Sequence, residues 1–250
     1  MKKLTYEQQY TIRSYEPRPD GHVAITSPCN HLQDIASRHA ETLGFGFHDL
    51  EATGHVWVLA RLHLRMQRLP VYGESIKITT WPSANERLVA LRDFILEDDN
   101  GIIGRGTTSW VVLNLETRRA DKPETVLDDR FIPERERALT FPTKAITRLK
   151  DGAHSTTLTA RRSDMDINRH VNNVRYVEFC LEAIPQEWIE SNRCMGVDVQ
   201  FRAESHPGDE YTSSCSKETA EGDESTYLHS LIRTSDNKEI IRMRSWWEAV

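Results

Sequence analysis

The chain has 250 residues, of which 28% are charged and 38% hydrophobic, a composition typical of a globular protein of one or two domains. The 38 acidic residues outnumber the 32 lysines and arginines and give a formal charge of −6, which argues against a general nucleic-acid binder because phosphate binding needs a basic surface. The longest purely apolar runs, such as Val111–Leu113, are far shorter than the ~20 residues needed to span a bilayer, so no transmembrane helix and no membrane partner are expected.

The amino-terminal residues and the cysteines bear on the cellular compartment. Residues 1–7 are basic but turn polar at once, without the apolar core of about 7–15 residues found in a secretory signal. Four widely spaced cysteines with no CxxC pair favour reduced thiols over disulfides or zinc ligands. We therefore expect a cytoplasmic protein. The cysteines are Cys29, Cys180, Cys194 and Cys215.

Hydrophobic periodicity in the first half of the chain predicts a strand, a helix and then further strands. Residues 4–12 alternate weakly between apolar and polar side chains, as a half-buried strand requires. Apolar residues in Asn30–Leu43 recur at mixed spacings of three and four, which indicates a helix. His55–Met66 has the clearest strand pattern of the chain, and a weaker one follows at 88–96.

The second half repeats this order. Asn172–Ile184 has helical spacing, and Val197–Ala203 alternates as a strand does. The dipeptide Ser109-Trp110 recurs as Ser245-Trp246, and three other features recur at nearly the same separation. These are Gly73-Glu74 with Asp209-Glu210, Asp99-Asn100 with Asp236-Asn237, and His31-Leu32 with His170-Val171. The sequence therefore predicts an internal duplication of one unit, built from a strand, a helix and antiparallel strands joined by hairpin turns.

The two predicted copies are separated by residues 128–150, which are charged, marked by prolines and without sustained periodicity. We interpret this segment as a linker, with a first domain at 1–127 and a second at 151–250. A sheet wrapped around one helix leaves a face and an edge uncovered, and a second copy can cover them.

Arg161–Tyr176, which leads into the second predicted helix, is rich in Asp, Asn and His. One interpretation is structural, because Asp and Asn form Asx turns and cap helices, and an asparagine at 172 or 173 would cap the helix that follows. The other is chemical. Asp166, Asn168 and His170 are spaced by two, so in an extended segment a carboxylate, an amide and an imidazole project the same way and would converge on one substrate atom.

The run Asp166–Asn173 resembles the signature of acyl-ACP thioesterases, a family known from plant plastids and from bacteria. Residues 30–33, 81–82 and 199–204 resemble other family segments in the same order, so the resemblance covers nearly the whole chain. It implies an α+β fold of two hotdog domains in tandem, in which each antiparallel sheet wraps around a long central helix. The duplication inferred from the repeated dipeptides agrees with that arrangement.

The resemblance also implies an activity. The family hydrolyses the thioester of fatty acyl-ACP, which releases a free fatty acid and terminates fatty acid synthesis. The expected partner is therefore an acyl carrier protein that carries a phosphopantetheine-linked fatty acyl chain.

Carried over to this chain, the family pattern makes Asp166, Asn168 and His170 catalytic and adds Glu204. Plant members usually have a cysteine directly after that glutamate, where this chain has Ser205, so a cysteine nucleophile is disfavoured and attack by water is favoured. We expect Glu204, aided by His170, to activate the water, while Asn168 and a backbone N–H at the start of the second helix stabilise the oxyanion. Whether Glu204 or Asp166 is the general base stays open.

The strand pattern does not by itself aim Glu204 at this site. If Val197 and Val199 face the core, strict alternation turns Glu204 to the opposite face of the strand. Either a bend or bulge near 205–207 re-aims the side chain, or that face meets the other copy.

The first copy lacks most of the catalytic pattern. Ser27 and Cys29 occupy the positions that correspond to Asp166 and Asn168, and only the histidine, His31, is kept. We therefore expect one active site per chain, and a catalytically degenerate first domain whose apolar interior holds the fatty acyl chain, as in the family.

Neither a cofactor nor a metal is expected, because the sequence has no nucleotide-binding glycine motif and no closely spaced pair of histidines with a cysteine to complete a set. Docking of a strongly acidic carrier protein on a net-negative chain needs a local basic cluster, and five arginines lie close in sequence to the predicted site. They are Arg161, Arg162, Arg169, Arg175 and Arg202. The alternative is a solvated charged face without a partner.

Three other functions stay open. They are an acyl-CoA thioesterase, a hotdog dehydratase that removes water from a 3-hydroxyacyl chain, and an acyl-binding module without catalysis. The last is disfavoured because the Asp, Asn and His of the motif are all present. The oligomeric state is open too, with a homodimer as one arrangement, because a duplication replaces one dimer interface yet leaves other surfaces.

Overall fold

The computed structural model describes residues 4–140, 142, 144–167, 169–218 and 225–250. The chain forms two compact units, Met1–Pro142 and Thr143–Val250. Each unit consists mainly of antiparallel strands with few helices, which confirms the α+β architecture expected from the sequence. The finer limits of 1–127, 128–150 and 151–250 stay a prediction.

In the first unit, one long helix packs against antiparallel strands. Its elements are β1 (Tyr6–Thr11), α1 (Thr26–Leu43), α2 (Phe47–Glu51), β2 (His55–Met66), β3 (Ser75–Glu86), β4 (Val89–Asp98), β5 (Gly101–Asn114) and β6 (Ala120–Asp121). The strands pair in the order β1-β3-β4-β5-β2, and the short β6 pairs with β5. Helix α1 lies against β1 and β3 and buries Leu32, Ile35 and Leu43.

The second unit has the same strand order. Its elements are β7 (His154–Thr159), α3 (Asn173–Leu181), α4 (Gln186–Ser191), β8 (Asn192–Phe201), β9 (Glu210–Glu218), β10 (Ser225–Arg233) and β11 (Lys238–Ala249). The strands pair antiparallel in the order β7-β9-β10-β11-β8, which matches the first unit strand for strand. Helix α3 lies against β9, β10 and β11. An internal duplication predicts this shared order.

The main differences from the predicted helix bounds lie at the start of α1 and at the end of α3. Helix α1 begins at Thr26 instead of Asn30, because Pro28 falls in the first turn, where a missing N–H costs nothing. Helix α3 ends at Leu181 instead of Ile184, and Pro185 follows. Proline disfavours helical backbone at the residue before it, so the helix closes earlier.

A buried histidine lies between the long helix and the sheet of the second unit. His229 on β10 is fully buried; its Nδ1 lies 3.0 Å from the carbonyl oxygen of Cys180 and its Nε2 lies 2.8 Å from Ser245 Oγ. The carbonyl only accepts, so Nδ1–H donates to it and Nε2 accepts from the serine hydroxyl. Trp247 Nε1 donates to the same hydroxyl at 2.8 Å. A neutral imidazole satisfies this network, and burial lowers the pKa of His229 to about 4.

The first unit has a buried base on the corresponding strand. Arg92 on β4 is 7% exposed, and its guanidinium lies 3.0 Å from His39 Nδ1 on α1 and 3.3 Å from Thr80 Oγ1 on β3. Burial lowers the pKa of Arg92 to about 9. Each unit therefore keeps a polar layer between its helix and its sheet.

The segment that follows the last strand of the first unit is attached to that unit by polar contacts. Arg137 donates to both carboxylate oxygens of Asp93, at 2.6 and 3.0 Å, and the Asp93 side chain is completely buried. Arg61 donates to the carbonyl of Pro142 at 2.6 Å, and the Arg135 guanidinium lies 4.0 Å from the ring of Trp81.

The helices of the described residues do not meet the requirements of a membrane span. None of them combines the length and the apolar character that such a span needs.

We expect the buried imidazole to make the protein acid-sensitive. Because the pKa of His229 is about 4 in the folded state and near 6.5 in the unfolded chain, only the unfolded chain binds this proton between those values. The free energy of unfolding should therefore fall, by roughly 3 kcal/mol from this group alone, as the pH drops from 7 to 4. Urea denaturation of the wild type and of His229→Gln at several pH values measures this difference.

The variant should lose that part of the pH dependence, even if it is less stable at every pH. His154→Gln, which replaces an exposed histidine of the same unit, should keep the wild-type dependence. An unchanged pH dependence in His229→Gln would show that this histidine is not the group responsible.

Candidate active site

The motif loop, residues 161–172, is closed at its base by hydrogen bonds around Asp164. The Asp164 carboxylate accepts a hydrogen bond from the backbone N–H of Arg161 at 2.7 Å. The backbone carbonyl of Asp164 accepts another from the N–H of Asn172 at 2.8 Å. Met165 and Val171 form an isolated antiparallel bridge. The loop therefore leaves the body of the second unit as a narrow, fixed turn.

At the tip of the motif loop, Asp166 holds the backbone of His170. The N–H of Asp166 donates to the carbonyl of His170 at 2.9 Å, and the N–H of His170 donates to Asp166 Oδ1 at 3.3 Å. The N–H of Arg169 donates to the Asp166 carbonyl at 3.1 Å, with Arg169 in the left-handed region at φ 62°. Through these hydrogen bonds Asp166 fixes the backbone position of His170. The third predicted residue, Asn168, lies outside the described residues.

Glu204 reaches this loop because strand β8 ends before it. Beyond Phe201 the chain leaves the sheet, and the carbonyl of Ser205 accepts from the N–H of Val171 at 3.3 Å. Arg233 donates to the carbonyl of Glu204 at 3.2 Å and so holds the same segment from β10. The alternation of the strand no longer sets the direction of the Glu204 side chain, which removes the conflict found in the sequence.

The result is a pair of ionisable side chains open to solvent. His170 Nε2 lies 3.7 Å from Glu204 Oε2, and the two side chains are 36% and 51% exposed. The ring of His206 lies beside that of His170, with 5.4 Å between centroids. An imidazole and a carboxylate at this separation can both act on a water molecule that binds beside them. Sequence reasoning missed His206, which no repeat or motif singled out.

The start of helix α3 adds backbone donors beside the motif loop. Asn172 is the N-cap, and its Oδ1 accepts from the N–H of Val174 at 2.9 Å. One of the two asparagines proposed as a cap therefore has that role. The first turn of a helix carries N–H groups without helical partners and the positive end of the helix dipole, which suits a developing oxyanion.

Ser205 faces the interior instead of the His170–Glu204 pair. Its side chain is completely buried beside the hydroxyls of Tyr176 and Tyr211. Burial raises the pKa of both tyrosines, so this cluster is neutral at physiological pH. A hydroxyl enclosed in this way is not placed to attack a substrate, which agrees with the expectation that water is the nucleophile. The two tyrosines are a further part of the site's support that the sequence did not reveal.

The corresponding positions in the first unit lie inside a helix. Ser27, Cys29 and His31 all fall within α1, whereas Asp166 and His170 lie in a loop before α3. His31 Nε2 lies 2.9 Å from Glu16 Oε1, which also accepts from Ser27 Oγ at 2.5 Å. The two units therefore differ in backbone, as well as in side chains, at this point.

Among the described residues, no group of three or more His, Cys, Asp and Glu side chains could hold a metal ion.

Family models match both halves of the chain. The model described as acyl-ACP thioesterase N-terminal domain matches residues 3–130, and the one described as acyl-ACP thioesterase C-terminal domain matches residues 147–249. The second match contains the motif loop and Glu204.

Curated plant proteins are similar over most of their length. Oleoyl-acyl carrier protein thioesterase 1, chloroplastic, of Arabidopsis thaliana is 30% identical over 98% of this chain and 76% of its own length. The corresponding enzyme of Coriandrum sativum is 31% identical over 93% of this chain and 67% of its own length.

Solved structures share the fold across both units. An acyl-ACP thioesterase from Bacteroides thetaiotaomicron superposes with a TM-score of 0.87 at 26% identity and covers 98% of both chains. A 12:0-ACP thioesterase from Umbellularia californica gives a TM-score of 0.89 at 25% identity over 100% of this chain and 96% of its own. The expected tandem hotdog fold is confirmed.

We expect Ser205 to be dispensable for chemistry. Ser205→Ala should keep kcat/KM for a thioester substrate within about threefold of the wild type, because the hydroxyl contacts only buried groups, whereas loss of a nucleophile costs about 10³-fold or more. Ser213→Ala, at another completely buried serine of the same unit, is the matched control for effects of burial alone. A loss of turnover confined to Ser205→Ala would restore the nucleophile hypothesis.

Proposed function

The chain belongs to the acyl-ACP thioesterase family, and on that premise we propose that it hydrolyses the thioester of fatty acyl-ACP, releasing a free fatty acid and ending synthesis on that carrier. The main structural support for this function is that His170 Nε2 lies 3.7 Å from Glu204 Oε2. Both residues lie in the part of the chain that matches the family's C-terminal model. Both groups are open to solvent, as water attack on a substrate requires.

In the proposed reaction Glu204 and His170 act together as the general base. A water molecule held beside the two groups attacks the thioester carbonyl and gives up a proton to the pair. When the tetrahedral intermediate collapses, the carbon–sulfur bond breaks, and the thiol of the carrier leaves with a proton returned from the pair. The products are a fatty acid and the carrier's free phosphopantetheine thiol.

The remaining predicted residues have supporting roles in this proposal. Asn168 and the backbone N–H groups at the start of α3 stabilise the oxyanion, because the positive end of the helix dipole lies there. Asp166 keeps His170 in place through its hydrogen bond to the His170 N–H. These assignments leave Glu204, rather than Asp166, as the carboxylate that meets water.

We propose a division of labour between the two halves. The first domain, 1–127, binds the fatty acyl chain and has no catalysis of its own; the linker is 128–150; and the second domain, 151–250, carries the chemistry. This division is supported by the burial of His31 against Glu16 within the first unit, where no exposed acid–imidazole pair corresponds to His170 and Glu204 among the described residues.

A cytoplasmic location and a homodimer remain predictions. All four cysteines are free and buried, which suits a reducing compartment, while the plant relatives are named as chloroplastic. Light scattering of the purified protein measures the oligomeric state directly.

Replacement of the base should abolish most turnover while leaving the fold intact. Glu204→Gln and His170→Gln should each lower kcat/KM for acyl-ACP by about 10²–10⁴-fold, because an amide cannot take the proton. Both side chains are solvent-exposed, so the free energy of unfolding should change little. Release of carrier thiol, followed with a chromogenic disulfide, measures the rate, and Glu248→Gln at an exposed glutamate is the control.

The wild-type reaction separates the rival functions. Acyl-ACP and acyl-CoA offered together distinguish the two carriers, and enoyl product from a 3-hydroxyacyl chain would indicate a dehydratase. Full activity in Glu204→Gln would remove that residue from the mechanism.

A further inference from the structure

The motif loop presents an exposed surface made of three arginines and one isoleucine. We call the side chains of Arg161, Arg162, Ile167 and Arg169 the loop face. All four are exposed, and Ile167, at 83%, is the most exposed large apolar side chain among the described residues. The loop face is part of the same loop as His170.

The structure divides the five arginines near the site into two groups. Arg175 lies 2.5 Å from Glu178 and 3.9 Å from Asp164, and Arg202 lies 3.1 Å from Glu239. Their charges are balanced by carboxylates of the same chain. By contrast, the three arginines of the loop face form no ion pair with any residue that the structure describes. Their positive charge is therefore open to an outside partner.

Ile167 is held outward by the turn that contains it. The hydrogen bond from the N–H of Arg169 to the carbonyl of Asp166, and the left-handed backbone of Arg169, close this turn with Ile167 at its tip. Single apolar side chains on a surface are ordinary. This one differs because it is β-branched, almost fully exposed and in the same loop as three exposed arginines and His170 of the proposed catalytic pair.

We propose that the loop face is where the acidic acyl carrier protein docks, with Ile167 as the apolar contact and the three arginines facing carboxylates of the carrier. This docking role rests on the proposed function. The chain has a net charge of −6 and would repel an acidic protein elsewhere, so docking needs local positive charge. An apolar centre with a charged rim is the usual composition of a protein–protein contact. Docking here brings the carrier's thioester to the loop that holds His170.

The experiment compares substrates that share the thioester but differ in the carrier. Arg161→Glu/Arg162→Glu and, separately, Ile167→Ser are assayed with acyl-ACP, with acyl-phosphopantetheine and with acyl-pantetheine. We expect kcat/KM for acyl-ACP to fall at least about tenfold in the double variant, mainly through KM, and by a smaller factor in Ile167→Ser. Both variants should keep wild-type kcat/KM with the two small substrates.

Ionic strength gives a second readout. Turnover of acyl-ACP by the wild type should fall as salt rises from about 20 to about 300 mM, and this dependence should be weaker in the double variant. Arg119→Glu, at an exposed arginine of the first unit, is the matched charge reversal and should behave as the wild type.

Each result decides between docking and its rivals. An equal loss with acyl-phosphopantetheine would mean that the arginines bind the phosphate, and an equal loss with acyl-pantetheine would mean that the changes damage the motif loop; either result overturns docking. Unchanged acyl-ACP kinetics in both variants would overturn it as well. Failure of the wild type to hydrolyse acyl-ACP at all would instead remove the proposed function.

Discussion

The candidate site depends on a backbone contact between two segments that belong to no strand. The N–H of Val171 donates to the carbonyl of Ser205 and joins the motif loop to the chain that leaves β8. This contact helps to bring an imidazole from one segment to a carboxylate from the other. Asp164 fixes the base of the first segment, and Arg233 holds the second by the carbonyl of Glu204. The two segments are thus positioned by hydrogen bonds to main-chain groups, and the side chains of His170 and Glu204 are open to solvent.

The two units of the duplication share one strand order but differ in local structure. Both units have the same strand order and place a buried base between helix and sheet, Arg92 in the first and His229 in the second. They differ where the long helix begins. The first unit continues its helix to Thr26 through the positions that form the motif loop in the second, and this buries its histidine against Glu16. A change in helix start therefore converts an exposed loop into a packed helix turn.

Much of the fold could be predicted from the sequence, because alternation and repetition are local signals. The strand at His55–Met66 has the predicted bounds, and the repeated dipeptides anticipated the shared strand order. The start of α1 was missed because Pro28 resembles a break although the first turn tolerates it. Strand alternation could not aim Glu204, because β8 ends at Phe201 and the period-two rule does not extend beyond a strand. The site residues came from the family resemblance, and the enclosure of Ser205 by two tyrosines carries no signature in the sequence.

The burial of the cysteines sets how the protein meets reactive chemicals. Cys29, Cys180 and Cys215 have no exposed surface, Cys194 has 5%, and desolvation raises the pKa of the Cys215 thiol to about 12. Thiols react with peroxides and with alkylating electrophiles as thiolates that the reagent can reach. Because all four cysteines are buried, the folded chain offers such reagents no accessible thiolate. The packing of the core therefore shields the thiols from oxidation and alkylation.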